Sequence, residues 1–106
     1  MSRAGESVPF PREVTLSSIC EIHDDVTAAF ARDGAIEFDI RNVEIVDLGF
    51  VQLVEAARKA AAADGRQIGL SHPASQPVAQ LLQRAGFLES ATPADIDFWF
   101  HGDATQ

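Results

Sequence analysis

Three histidines, one cysteine and sixteen acids are the residues of this 106-residue chain most suited to chemistry. Cys20 and His23 stand in a C-x-x-H spacing that sets two ligating side chains on one helical face. A structural zinc takes four ligands, and no second pair lies near this one in sequence. Neither a metal nor a cofactor is therefore expected. Cys20 as a nucleophile requires a lowered pKa and a paired base, and no such signature accompanies it. The acids Asp24, Asp25, Asp39, Glu44, Asp47, Asp95 and Asp97 are scattered. Asp24 and Asp25 read as residues of a helix's first turn, where the macrodipole favours anions. The chain has no G-x-S-x-G elbow, no Walker loop and no glycine-rich dinucleotide turn. No catalytic residues are assigned, and the protein is expected not to be an enzyme.

One stretch combines chemistry with position: Val46-Asp47-Leu48-Gly49-Phe50-Val51-Gln52-Leu53-Val54. An apolar strand runs into Asp47 and a helix begins within two residues. A carboxylate there accepts from free N–H groups and meets the positive end of the helix dipole. Leu48 lies at the tip of that helix, where it either turns into the core or offers apolar area to a partner.

The elements that must hold this stretch follow from periodicity. Glu13–Ser17 reads as a short strand with Val14 and Leu16 on one face, able to pair with an extended stretch around Val8–Phe10 that Pro9 and Pro11 keep short and edge-like. Ile22, Val26, Ala29 and Phe30 recur at helical spacing, and Gly34 is expected to end that helix. Ala35–Ile40 alternates as a strand with one wetter face. The clearest helix spans residues 49–64, with Phe50, Leu53, Val54, Ala57 and Ala61 in one apolar stripe. Gly65 ends it, and a strand around Ile68 and Leu70 follows. Ser75 and Pro77 open another helix with Val78, Leu81, Leu82 and Ala85 inside, ended by Gly86. Asp95–His101 alternates and is read as a final strand. Strands separated by helices imply mostly parallel pairing. The expected fold is an α/β single domain, a mixed sheet of about four or five strands with helices mainly on one face. Residues 1–12 read as a flexible arm, 13–101 as the domain and 102–106 as a tail.

Composition limits the partners. Eight Lys and Arg against sixteen Asp and Glu give a formal net charge of −8. That balance argues against nucleic acid, whose phosphates are bound mainly through Lys and Arg, and against docking on anionic lipid by charge. No apolar run approaches the roughly 18 residues of a membrane span, and direct membrane insertion is not expected. Residues 1–12 lack the apolar core of a secretory signal. The single Cys20 excludes an internal disulfide, which suits a cytoplasmic protein.

The order of elements resembles the STAS domain, found in anti-sigma-factor antagonists, in sulfate-transporter tails and in the small STAS subunit of Mla-type lipid transporters. The resemblance rests on the strand at 36–40, Asp47-Leu48-Gly49-Phe50 opening a helix to Asp64, the strand at 68–70, and Val78-x-x-Leu81-Leu82-x-x-Ala85-Gly86-Phe87. It covers roughly residues 13–88. In the antagonists a Ser after the motif Asp accepts phosphate from a partner kinase. Leu48 occupies that position here and has no hydroxyl, so no phosphorylation is expected at the motif. Phe50 also stands where a glycine is usual. The resemblance implies a regulatory module of signalling and transcription control, without the phosphoacceptor. It would bind a partner protein, such as an anti-sigma GHKL-type kinase or a transporter ATPase, through Asp47, Leu48, Gly49, Phe50 and Gln52. The alternatives are the Mla-type transporter subunit and a small-ligand domain for a nucleotide or lipid. Ser71 and Ser75 are the places to which a phosphate switch would move.

Overall fold

Alternation of apolar and charged residues over Ala35–Asp39 produces the central strand of the molecule. The computed structural model describes residues 5–32 and 34–101. In chain order it contains β1 (Gly5–Pro9), β2 (Glu13–Val14), α1 (Ile19–Phe30), β3 (Ala35–Asp39), β4 (Ile45–Val46), α2 (Leu48–Ala63), β5 (Ile68–Leu70), α3 (Gln76–Arg84), a 3-10 turn (Phe87–Ser90) and α4 (Pro93–Phe100). The α/β class holds, with five strands. They form two sheets, β1-β3-β5 and β2-β4, and every pairing among the described residues is parallel rather than mixed. Each pair is joined through a helix, and such crossovers favour parallel partners. Within β3, Ile36 and Phe38 are buried while Glu37 is exposed, so one face of the main sheet is packed and the other is wet.

The packed face carries a row of rings. Phe10 lies 5.0 Å from Phe38 and 5.9 Å from Phe50, and Phe50 lies 6.0 Å from Trp99. Phe98 meets Trp99 edge to face at 5.3 Å. Tilted and edge-on pairs of this kind add about 0.5–1.5 kcal/mol beyond area burial. The Trp99 ring is fully buried, and its Nε1 donates to Glu55 Oε2 at 3.3 Å.

Several expectations need correction. Residues 5–9, read as part of a loose arm with a short edge-like stretch around Val8–Phe10, form β1; it pairs with β3 and not with residues 13–17, at a sheet edge where the missing N–H of Pro9 is tolerated. Residues 1–4 and the tail at 102–106 lie outside the described residues. The strand at 13–17 shortens to Glu13–Val14, because β4 offers only Ile45 and Val46 to pair with, and Leu16 lies in the loop beyond, largely exposed. Helix α1 begins at Ile19, so Asp24 and Asp25 sit in its second turn and Glu21 is the first-turn acid. That helix ends at Phe30, capped by Ala31, and Gly34 takes φ 107° further along the loop. Arg66 binds the carbonyls left over at that end. Its guanidinium donates to the carbonyls of Phe30 at 2.9 Å, Gly34 at 3.1 Å and Arg32, and stacks on the Phe30 ring.

The final strand is a helix. Thr92 caps α4 through its hydroxyl and Asp95 returns a bond to the Thr92 N–H, with Pro93 in the first turn. That reciprocal box fixes a helix start. Trp99, which a strand would have set beside Asp97 on the wet face, is instead buried with Phe98 and Phe100.

Candidate functional site

Asp47 sits where β4 gives way to α2, in an extended conformation with φ −138°. Its Oδ1 accepts from Gly49 N at 2.9 Å, while its carbonyl accepts from Phe50 N at 3.0 Å. The helix start is therefore capped as the sequence suggests. The second carboxylate oxygen does something the sequence did not reveal. Asp47 Oδ2 accepts from Leu16 N at 3.1 Å, tying the β2–α1 loop to the start of α2. One carboxylate thus joins two segments that are 31 residues apart in the chain.

Gly49 makes that junction possible. A Cβ added there would lie 3.0 Å from Asp47 Oδ1 and 3.1 Å from Leu16 Cγ. The Leu16 side chain therefore lies against the helix backbone, and the absence of a side chain at 49 is what admits it. The loop around Leu16 is braced by hydroxyls. Ser18 Oγ accepts from Thr15 N at 3.0 Å, and Thr15 Oγ1 lies 3.1 Å from Ser17 Oγ.

Leu48 turns outward. It is 52% exposed, Leu16 is 68% exposed and Ile45 is 43% exposed. Among the described residues these are the large apolar side chains left exposed, and all three flank Asp47 in sequence or in space. The rest of the expected contact set divides. Gln52 is exposed, one turn further along the helix. Phe50 is fully buried in the aromatic row, and Gly49 is buried beneath Leu16; neither presents a side chain to a partner. Leu16 and Ile45 were missed by the sequence reading. Leu16 looked like an inward strand residue, and only the brevity of β2 and β4 betrays it.

The other candidate chemistry stays dispersed. Cys20 is exposed, and His23 Nδ1 lies 4.0 Å from Asp24 Oδ1 on the open side of α1. Among the described residues no group of three or more His, Cys, Asp or Glu is arranged to hold a metal ion. Ser75 begins α3 without a side-chain cap bond, and its hydroxyl is buried with no hydrogen-bond partner. A kinase cannot reach it there without local opening. Ser71 Oγ lies 3.0 Å from His72 Nδ1. Among the described residues the strongly shifted acid is Asp39, held at a pKa of about 2 by hydrogen bonds from the side chain and backbone of Arg41. That turn lies outside the leucine surface. No helix among the described residues is long and apolar enough to cross a membrane.

With the Asp-capped helix and its parallel strands in place, comparison with known families gives a match over residues 12–89 to the model described as "Mlab, STAS domain". The chain belongs to the STAS family. Comparison with curated proteins and with solved structures finds no match. The family match stops before α4 and starts after β1, so this STAS domain carries an edge strand and a tryptophan-bearing helix outside the matched segment. STAS domains are generally non-enzymatic binding or regulatory modules that interact with proteins.

Proposed function

We propose that this STAS domain is a cytoplasmic, non-enzymatic interaction module that docks a partner protein through Leu16, Ile45, Leu48 and Gln52 around Asp47. The observation that carries the reading is that, among the described residues, the exposed large apolar side chains all flank Asp47, Ile45 and Leu48 in sequence and Leu16 through its hydrogen bond to the Asp47 carboxylate. Burying a leucine contributes about 1.5–3 kcal/mol, so Leu16 and Leu48 together form the energetic centre of the interface. Asp47 supports that surface from beneath as cap and latch, and Gly49 supports it by leaving room for Leu16.

The partner is an anti-sigma kinase of the GHKL type, with the module acting as an antagonist in transcription signalling. Leu48 replaces the phosphoacceptor, so binding is constitutive or is controlled through the partner. A second reading has its own support. The matching family model bears the description "Mlab", which favours a small STAS subunit docking on the ATPase of a lipid transporter. Co-purification from the native host separates the two. Recovery of a kinase supports the first, recovery of a transporter ATPase the second, and in either case Leu48→Asp should abolish recovery. Undiminished recovery with both Leu48→Asp and Leu16→Asp would remove the leucine surface from the account.

A further inference from the structure

A second concave surface lies away from the leucine surface. It is a groove of about 680 Å³ between the C-terminal half of α2, strand β5 and α4. Its floor is a sheet edge. Ile36 N donates to Gln67 O at 2.9 Å and Ser71 N donates to Phe38 O at 2.9 Å. With Ile36 paired to Ile68 and Phe38 to Leu70, this register turns the backbone groups of Gln67, Gly69 and Ser71 toward β3. The N–H and C=O groups of Ile68 and Leu70 therefore face the groove. No described strand covers that side of β5. One of these groups is already occupied: the Leu70 carbonyl accepts from His101 Nε2 at 3.0 Å, at the end of α4. Gly69 leaves open space above the strand, with no atom within 4 Å of a Cβ placed there.

The groove also differs in charge from the rest of the molecule. Arg58, Lys59 and Arg66 line it, three of the chain's eight cations, against Glu55 and Asp97, two of its sixteen acids. Arg58 is engaged by Glu55 and Asp95, and Arg66 by Asp64 at 3.8 Å and by the carbonyls at the end of α1, which leaves Lys59 as the cation for an incoming carboxylate. Lys59 is exposed at the rim. An unpaired strand edge offers main-chain hydrogen bonds to an extended segment, and a lining with more cations than acids, with Lys59 exposed, favours acidic over basic side chains in that segment.

We propose that the β5 edge is a second docking site, one that accepts an extended acidic segment of a partner protein as an added strand. It goes beyond the leucine surface and does not depend on it. The segment's main chain bonds the N–H and C=O of Ile68 and the N–H of Leu70, beside the carbonyl that His101 holds, and its carboxylates face Lys59.

The test uses the whole 15N-labelled chain and a blocked peptide alternating Val and Glu. Binding should shift the amides of Ile68 and Leu70 and leave those around Leu48 still. Because alternate amides of an added strand face the edge, N-methylation of one alternating set should abolish binding and methylation of the other should not. Lys59→Glu, a change at an exposed helix position, should weaken binding about fivefold. The proposal is overturned by the absence of shifts along β5, by equal shifts with a Val and Lys peptide, or by indifference to which set is methylated. β5 shifts that follow the concentration of the protein alone would replace it with self-pairing of two copies.

Discussion

Replacing Asp47 by Asn and by Ala separates the two tasks of one carboxylate. Asparagine caps a helix about as well as aspartate, so Asp47→Asn can keep the 2.9 Å bond from Gly49 N through its side-chain oxygen. It then has an amide NH₂ facing Leu16 N, a donor against a donor, where Oδ2 now accepts at 3.1 Å. Losing that bond should cost about 1 kcal/mol. Asp47→Ala loses both, with the cap adding about 1 kcal/mol more. For a domain of this size each kcal/mol lowers Tm by roughly 5 °C, so about 5 °C is expected for Asn and about 10 °C for Ala. Trp99, the single tryptophan and fully buried, reports unfolding directly by fluorescence in urea. The slope with urea should not change, because the same surface is exposed on unfolding. Asn matching wild type would show that the tie to Leu16 contributes nothing. Asn matching Ala would show that the cap contributes nothing. Either result refutes the two-task account.

Other consequences follow from single contacts. Gly65 sits at φ 66° after α2, with Arg66 N bonding Ala61 O at 2.8 Å in a left-handed helix stop, so Gly65→Ala should lower stability by about 1 kcal/mol in urea unfolding. Arg66→Gln removes the charged donors at the end of α1 and should cost about 2 kcal/mol, with hydrogen exchange rising first around Phe30. Asp39 titrates near 2 in the folded chain, below its ordinary 3.8, so the stability it contributes is complete above that ordinary value and is lost as pH falls through about 2. In Arg41→Gln the carboxyl carbon of Asp39, followed by NMR, should titrate back toward 3.8.

Much of this arrangement was legible from residue order. The stripe of α2 and the β3 alternation came from local periodicity and the Asp47 cap from the chemistry of its carboxylate, while the family resemblance was carried by the residues at 47–50 and 78–87 and the order of elements around them. The failures came where a local pattern competes with a longer-range partner. Asp95–His101 alternates like a strand, yet the Thr92-Pro93-x-Asp95 box that starts α4 stood in the same sequence and was the stronger signal. Leu16 alternated with Val14, but its position depends on Asp47, 31 residues away, and no local rule carries that. Phe50 followed the motif and was counted with the contact residues, although its place in the apolar stripe of α2 already pointed inward. The groove beside β5 was invisible for the same reason, since its walls come from segments far apart in the chain.

The most direct test of the central claim is amide shift mapping of the 15N-labelled domain against the partner recovered from its host. The leucine-surface account predicts that the largest changes fall on residues 15–18 and 45–52, and that they vanish with Leu48→Asp while Tm stays within a few degrees of wild type. Changes centred elsewhere, with residues 15–18 and 45–52 unmoved, would contradict it.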